Sequence, residues 1–361
     1  MTLTLTTAGE SHGPALVAIL AGLPAGLVLD RDAIDTDLKR RQQGYGRSPR
    51  QRLEQDRVEV LAGLRHGRTL GTPLTLVVRN RDHENWAWGM SPWPPEGEPA
   101  GKGTKPATLP RPGHADLAGT LKFGLADTRD ALERASARQT AVAVAAGAVA
   151  KALLAAIDVQ VESSVVTEEL ERKIDQARGE RDTVGGVVEV RAHAVPPGLG
   201  SYATKEERLD ARLAAALLGI QAVKGVEIGE GFALAELRGS QAHDEIFRGE
   251  GGFYRETNRA GGIEAGVSNG EAIVVRAAMK PLPTLMRPLQ SANIDTGEPG
   301  EALVERSDVA AVEALAVVAE AAVAFELARA AREKLGGDSL ADFVSAHRAY
   351  LERIDWQPRT R

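Results

Sequence analysis

Two stretches of this chain are apolar on every helical face, and they restrict its fold more than any other feature. The run from Arg129 to Ile157 is dominated by Ala, Val and Leu and carries no charge between Thr140 and Ala150. Val309 to Ala331 repeats the pattern, entering after Ser307-Asp308, which read as a helix cap, and stopping at Gly336-Gly337. A helix apolar on every side has to be buried on every side. The pair therefore predicts a layered core with protein on both faces of the helices, and 361 residues at 43% hydrophobic supply enough chain to build it.

The rest of the chain mixes strand and helix periods. Thr2 to Thr7 alternates Thr with Leu and reads as a half-buried strand, so residues 9 to 13 form the loop that leaves it. Asp30 to Arg41 has helical spacing and ends before Gly44, which places Arg40 and Arg41 in its last turn and Arg47 beyond it. Strands are expected at Val58–Ala62, Pro73–Val78, Gly186–Ala192, Phe232–Leu237 and Ala272–Ala278. Thr204-Lys205-Glu206-Glu207 reads as a capping box that starts a helix running through Leu217 to Val223. Ser339 to Ile354 stripes Leu340, Phe343, Val344, His347 and Leu351 on one face, making His347 a packing residue. Residues 86–112 are rich in Pro, Gly and Trp with little periodicity and read as a long loop. No fixed-period repeat is visible, and strands do not alternate with helices strictly enough for a doubly wound sheet, so the expected class is α+β.

Composition removes whole classes of chemistry. With no cysteine there is no disulfide, thiolate metal site or thiol nucleophile, and redox work falls to a bound cofactor. None of the seven histidines has a partner at metal-ligand spacing, so no metal is expected. A net charge of -6 and few aromatics argue against a nucleic-acid partner. No continuous apolar run reaches the roughly 18 residues of a membrane span, and no signal peptide is evident, so a soluble cytoplasmic protein without a membrane partner is expected. The charge is uneven: Lys39, Arg40, Arg41, Arg47, Arg50 and Arg52 fall between Leu38 and Leu53 with no acidic residue among them, as a small anionic partner would require.

Several short clusters carry candidate chemistry. Arg111-Pro112-Gly113-His114-Ala115-Asp116 sets a guanidinium and an imidazole three residues apart, joining a two-pronged anion clamp to the one side chain that titrates near neutrality. Gly9-Glu10-Ser11-His12-Gly13 supplies a second histidine in a polar loop. It also matches the nucleophile elbow of serine hydrolases, but that fold needs earlier strands and only eight residues precede Gly9. Arg134-Ala135-Ser136-Ala137-Arg138 places two arginines and a hydroxyl at the entrance of an apolar helix, where free N–H groups favour phosphate or carboxylate. Lys280-Pro281-Leu282-Pro283-Thr284 is a stiff cationic segment after a strand, and Arg306-Ser307-Asp308 opens the second apolar helix, where the aspartate could cap it or act as a base. Gly261-Gly262 and Gly266 to Gly270 are backbone that could approach a ligand closely. Gly97 to Thr104 resembles a phosphate-binding loop but is one residue short and lacks the metal-binding hydroxyl.

Taken together and in this order, Gly-Glu-Ser-His, Arg-Pro-Gly-His-Ala-Asp, Arg-x-Ser-Ala-Arg, Lys-Pro-x-x-Thr and Arg-x-Asp resemble the chorismate synthase family, from Thr7 to about Gly337. The resemblance implies 1,4-elimination of phosphate from 5-enolpyruvylshikimate 3-phosphate, with reduced FMN that is not consumed overall. It implies a β-α-β sandwich, a buried helical layer between antiparallel sheets, as a single domain over residues 1–361 and assembled as a homotetramer. By the same resemblance, His12 assists phosphate departure and His114 protonates or stabilises the reduced flavin. Ser11 and Asp308 help accept a proton from flavin N5. Arg41, Arg47, Arg50, Arg111 and Arg138 grip the substrate. FMN contacts fall on Arg134, Ala135, Ser136, Gln221, Ala222, Gly266, Lys280, Pro281, Leu282, Pro283, Thr284 and Arg306; Ala135 stands where many relatives have serine. The tryptophans of residues 86–105 receive no role beyond that of a lid. No Gly-x-Gly-x-x-Gly follows a strand, so dependence on a separate flavin reductase is expected rather than direct use of NADPH. The rivals are a flavin- or phosphate-binding module without lyase activity and, more remotely, a serine hydrolase using Ser11.

Overall fold

Burial of the apolar helices organises the molecule. The computed structural model describes residues 2–47, 54–304 and 308–357; Arg50 and Arg306 lie outside the described residues. The first half contributes β1 (Thr4–Ala8), β2 (Ala15–Ala21), α1 (Arg31–Gln42), β3 (Val58–Ala62), β4 (Leu74–Arg79), α2 (Asp116–Phe123), α3 (Thr128–Ala135) and α4 (Thr140–Ala155). The second contributes β5 (Gln160–Val165), α5 (Leu170–Glu180), β6 (Gly186–His193), α6 (Leu209–Leu218), β7 (Val223–Ile228), β8 (Ile273–Met279), α7 (Val312–Leu335) and α8 (Leu340–Ile354). Two four-stranded antiparallel sheets result, ordered β1-β2-β4-β3 and β5-β6-β8-β7. The same order in both halves, each with a helix between its second and third strands and a long apolar helix at its end, is a topological repeat. Unequal insertions, such as residues 80–127 in the first half and α5 in the second, kept any fixed period out of the sequence.

Alternation on the strands aims one face of each sheet at the helices. Leu16, Ala18 and Leu20 of β2 and Leu74, Leu76 and Val78 of β4 are fully buried, and α4 packs on this sheet. Val188, Val190 and Ala192 of β6 face the core with Ile273, Val275 and Ala277 of β8, and α7 packs there. Helices α4 and α7 then pack against each other, with α1 and α6 beside them. A buried charge interrupts the apolar faces where the helices meet. Glu320 of α7, 2% exposed, accepts from Arg40 of α1 at 2.9 Å, Lys151 of α4 at 2.7 Å and Ser163 of β5 at 2.7 Å, while Lys151 also pairs with Asp37. Burial opposes the charge on Glu320, but Arg40 and Lys151 hold its carboxyl below the ordinary range.

Several expectations need correction. The run from Arg129 to Ile157 is two helices, because Ser136 adopts an extended ψ of 140° and its hydroxyl accepts the Arg138 N–H at 3.3 Å. Thr128–Ala155 is long and apolar enough to cross a membrane by composition, yet 78% of its most apolar window is buried inside the protein. Asp308 does not cap the second apolar helix, which starts at Val312 after Ala311, because Asp308 is paired with Arg47 instead. The helix expected from Thr204 begins at Leu209, where Leu209, Leu213 and Leu217 form its buried stripe, and Val223 already belongs to β7. Phe232 to Leu237 is not a strand. Gly229 and Gly231, both at positive φ, turn the chain off the end of β7 into a 3-10 turn, leaving Phe232 80% exposed.

Gly147 is the close-contact point of α4 and α7: a Cβ there would collide with Ala321 side chain and backbone. Gly147→Ala is expected to cost about 1–3 kcal/mol through overpacking. Gly179→Ala, in open space on α5, should gain up to ~1 kcal/mol from helix propensity. Urea unfolding midpoints of the two variants check both signs.

Candidate active site

The amino-terminal turns of α4 and α7, the last turn of α1 and the loops beyond the strands converge on one cavity of about 600 Å³. Arg41, Arg47, Arg111, Arg138, Lys224 and Lys280 line it against two lining carboxylates, Glu54 and Asp308. The cations are not loose. Arg41 donates through Nε to Thr140 at 2.8 Å and through Nη2 to the Ala137 carbonyl at 3.1 Å. Arg138 donates to Asn80 at 2.9 Å and Asp56 at 2.7 Å, and Arg47 pairs with Asp308 at 2.8 Å. Burial pushes the Arg41 guanidinium down to about 9, Asp56 opposing and Arg138 and Arg47 adding to the shift. Burial likewise lowers Arg47, with Asp308 opposing, and the buried Nε of Arg47 has no hydrogen-bond partner among the described residues. Positive charge here exceeds its compensation, which is the condition for binding a polyanion.

Both candidate histidines are anchored by carboxylates. His114 Nδ1 lies 2.5 Å from Asp116 Oδ1, and Asp116 also accepts from Arg111 Nε at 2.8 Å and Nη2 at 3.2 Å. Burial works against the Asp116 charge, but His114 and Arg111 outweigh it and hold the carboxyl well below the usual range. Arg111 Nη1 donates to Thr284 at 3.0 Å, so this arginine ties the histidine loop to the Lys280–Thr284 segment. His12, 3% exposed, sits with Nδ1 2.7 Å from Glu133 Oε1, and the Ser136 hydroxyl donates to Ser11 Oγ at 3.2 Å.

Most of the residues singled out in the sequence meet here. Ser11, His12, Arg41, Arg47, Arg111, His114, Ala135, Ser136, Arg138, Gln221, Ala222, Lys280, Leu282, Pro283, Thr284 and Asp308 all line the cavity. Arg134 does not: it donates to the Thr7 and Gly9 carbonyls and ties α3 to β1. Pro281 is not a lining residue, although both its neighbours are. Gly266 lies outside, between the short strands Ile263–Glu264 and Val267–Ser268. Its close approach is to its own chain, since a Cβ would meet Arg208 and, at 2.9 Å, the Ser201 carbonyl. Trp86 is no lid, being buried and stacked on His12.

Sequence reading missed the lining residues Lys224, Glu54, Leu218, Ile220, Met279, Leu315 and Val318, and Glu133 and Asp56, which stand behind the lining on His12 and Arg138. Lys224 lies near Lys280, whose ammonium is pushed down first by burial and then by Lys224. An apolar wall facing a hydroxyl and two lysines fits a flat fused ring with a phosphorylated tail. Among the described residues no cluster of carboxylates and histidines could hold a metal.

The chain matches the model of the family described as chorismate synthase over residues 3–168 and 165–331. It is 52% identical to a chorismate synthase of Desulforudis audaxviator, covering 96% of this chain and 97% of that one. Against a chorismate synthase of Rubrobacter xylanophilus the identity is 49%, with 97% and 96% covered. A crystal structure of chorismate synthase superposes with a TM-score of 0.78 at 36% identity, over 98% of this chain and 99% of the other.

Asp116→Asn leaves the buried Arg111 without its counter-charge and is expected to cost about 3–5 kcal/mol at neutral pH. Since the folded-state proton affinity of Asp116 is depressed, its contribution is complete above the unfolded carboxylate range and is lost as pH falls. The stability gap between variant and parent should therefore hold steady down to pH ~4 and shrink below it, as chemical unfolding from pH 7 to 3 would reveal.

Proposed function

The chain belongs to the chorismate synthase family and catalyses the family's reaction, 1,4-elimination of phosphate from 5-enolpyruvylshikimate 3-phosphate to give chorismate, and from this premise we propose which residues do the work. It is a carbon-oxygen lyase of the shikimate pathway. The observation that carries the residue assignment is the shared cavity, in which anchored guanidinium groups and two carboxylate-backed histidines face the same space.

The substrate brings two carboxylates and a phosphate. Arg41, Arg47 and Arg138 grip it, each charge-assisted hydrogen bond contributing roughly 1.5–3 kcal/mol. Arg111, committed to Asp116 and Thr284, acts chiefly by holding His114 in place. As the C–O bond breaks, His12 gives a proton to the departing phosphate oxygen through Nε2, since Nδ1 is engaged by Glu133. Reduced FMN, when bound, would supply the transient electron density and the hydrogen acceptor that side-chain bases cannot. Ser136, Gln221, Ala222, Lys280, Leu282, Pro283 and Thr284 would hold it, Arg134 keeping the supporting loop in place. His114 would protonate or stabilise that group, and Ser11 with Asp308 would help accept a proton from it, all three lining the same cavity. Arg50, Arg306, Pro281, Ala135 and Gly266 join these roles by family resemblance.

The layered reading of the fold, two antiparallel sheets enclosing a helical layer as one domain, is supported by the packing of α4 and α7 on opposite sheets and on each other. Homotetrameric assembly, cytoplasmic location and a separate flavin reductase complete the proposal by family analogy.

Anaerobic phosphate release should require added reduced FMN and should not proceed with NADPH alone. His114→Ala should slow turnover at least ~100-fold while leaving FMN affinity largely intact. Unchanged turnover in that variant would remove His114 from the reaction and leave it a structural residue.

A further inference from the structure

His12 is held by residues that none of the roles above includes. Glu133, 1% exposed on α3, uses both carboxylate oxygens on this one residue: Oε2 accepts the His12 main-chain N–H at 2.8 Å and Oε1 accepts from Nδ1 at 2.7 Å. The Glu133 carbonyl accepts the Ser11 N–H at 3.1 Å. Trp86, from the 3-10 turn Arg81–Trp86, stacks on the imidazole with centroids 4.0 Å apart and planes inclined by 19°. His83 of the same turn donates through Nδ1 to the His12 carbonyl at 2.9 Å. Arg129, one helical turn before Glu133, places its guanidinium 4.9 Å from the Trp86 ring and Nη1 3.8 Å from Glu133 Oε1.

An imidazole on a turn can present either nitrogen by rotating about its ring axis, and as a neutral group it can carry its proton on either one. Proton delivery to an oxygen at a fixed place needs one nitrogen and one orientation. Glu133 selects the orientation by accepting at Nδ1, and stacking on Trp86 blocks rotation of the ring. We propose that Glu133 and Trp86 are positioning residues that lock His12 with a permanent proton on Nδ1 and so set Nε2 as the atom that exchanges protons with the phosphate oxygen, while Arg129 seats both. The inference rests on the reading of His12 as the proton donor.

Nitrogen-15 NMR of histidine-labelled protein, with His12 identified by loss of its signals in His12→Ala, tests the lock without turnover. The parent should show a single Nδ1–H tautomer for neutral His12. Glu133→Gln has one acceptor oxygen for two donors and should give mixed tautomers, with kcat down about 10–100-fold and KM within about twofold. Trp86→Ala should likewise lower kcat, and Trp86→Phe, which keeps a stacking face, should restore it. A parent spectrum in the Nε2–H form, or Glu133→Gln with an unaltered tautomer and full kcat, would overturn the inference even if Glu133 variants prove hard to fold, since the parent spectrum needs no variant at Glu133. Full turnover in His12→Ala would instead remove the donor role of His12, leaving the tautomer result to stand or fall separately.

Discussion

The contact of α4 with α7 is the constraint on which the rest depends. Two helices without a polar face can be buried only if each finds protein all round, and the collision that a Cβ on Gly147 would make with Ala321 marks how closely they approach. Such a pair has no side-chain pattern of its own to set its register. Glu320 supplies one, because it meets its cationic and hydroxyl partners on α1, α4 and β5 at a single relative position of those elements. In that register the amino-terminal turns of both long helices open into the same cavity, together with the last turn of α1.

Charge in the cavity follows a division of labour. Carboxylates behind the wall serve mainly to orient: Asp56 holds Arg138, Asp116 holds Arg111 and His114, and Glu133 holds His12. Because each is engaged from behind, the lining retains an excess of cations without letting them wander. Helix amino termini add partial positive charge at the entrance to α4. An anion entering this space meets groups whose orientation has already been set during folding, so little ordering remains to oppose binding.

Local signals in the sequence were read well where one physical cause acted alone. The helices expected from Asp30 and from Ser339 form, each residue proving to be the cap, and Gly336 ends α7 as expected. Readings failed where two causes competed. The extended Ser136 is invisible in an Ala-rich run because its break is stabilised by bonds to Arg138 and Ser11, the latter from a strand loop 125 residues away. Phe232 to Leu237 has the apolar content of a strand, but flanking glycines turn it away from either sheet. Glu133 left a faint signal, a carboxylate beside Leu132 on the buried side of α3, which becomes meaningful only when its partner His12 is known.

By itself the sequence determined the chemical inventory: no thiol, two histidines in polar turns, arginines at helix ends, and two helices that had to be buried. These follow from residue type and short-range pattern, which act within a turn or two of chain. Tertiary structure alone decided which arginines face the cavity and which, like Arg40 and Arg134, brace the scaffold. It also decided that His12 would be gripped by Glu133 and Trp86. The reason is distance along the chain: the His12–Glu133 bond spans 121 residues, and a contact of that kind exists only once burial of the helices has brought its two ends together.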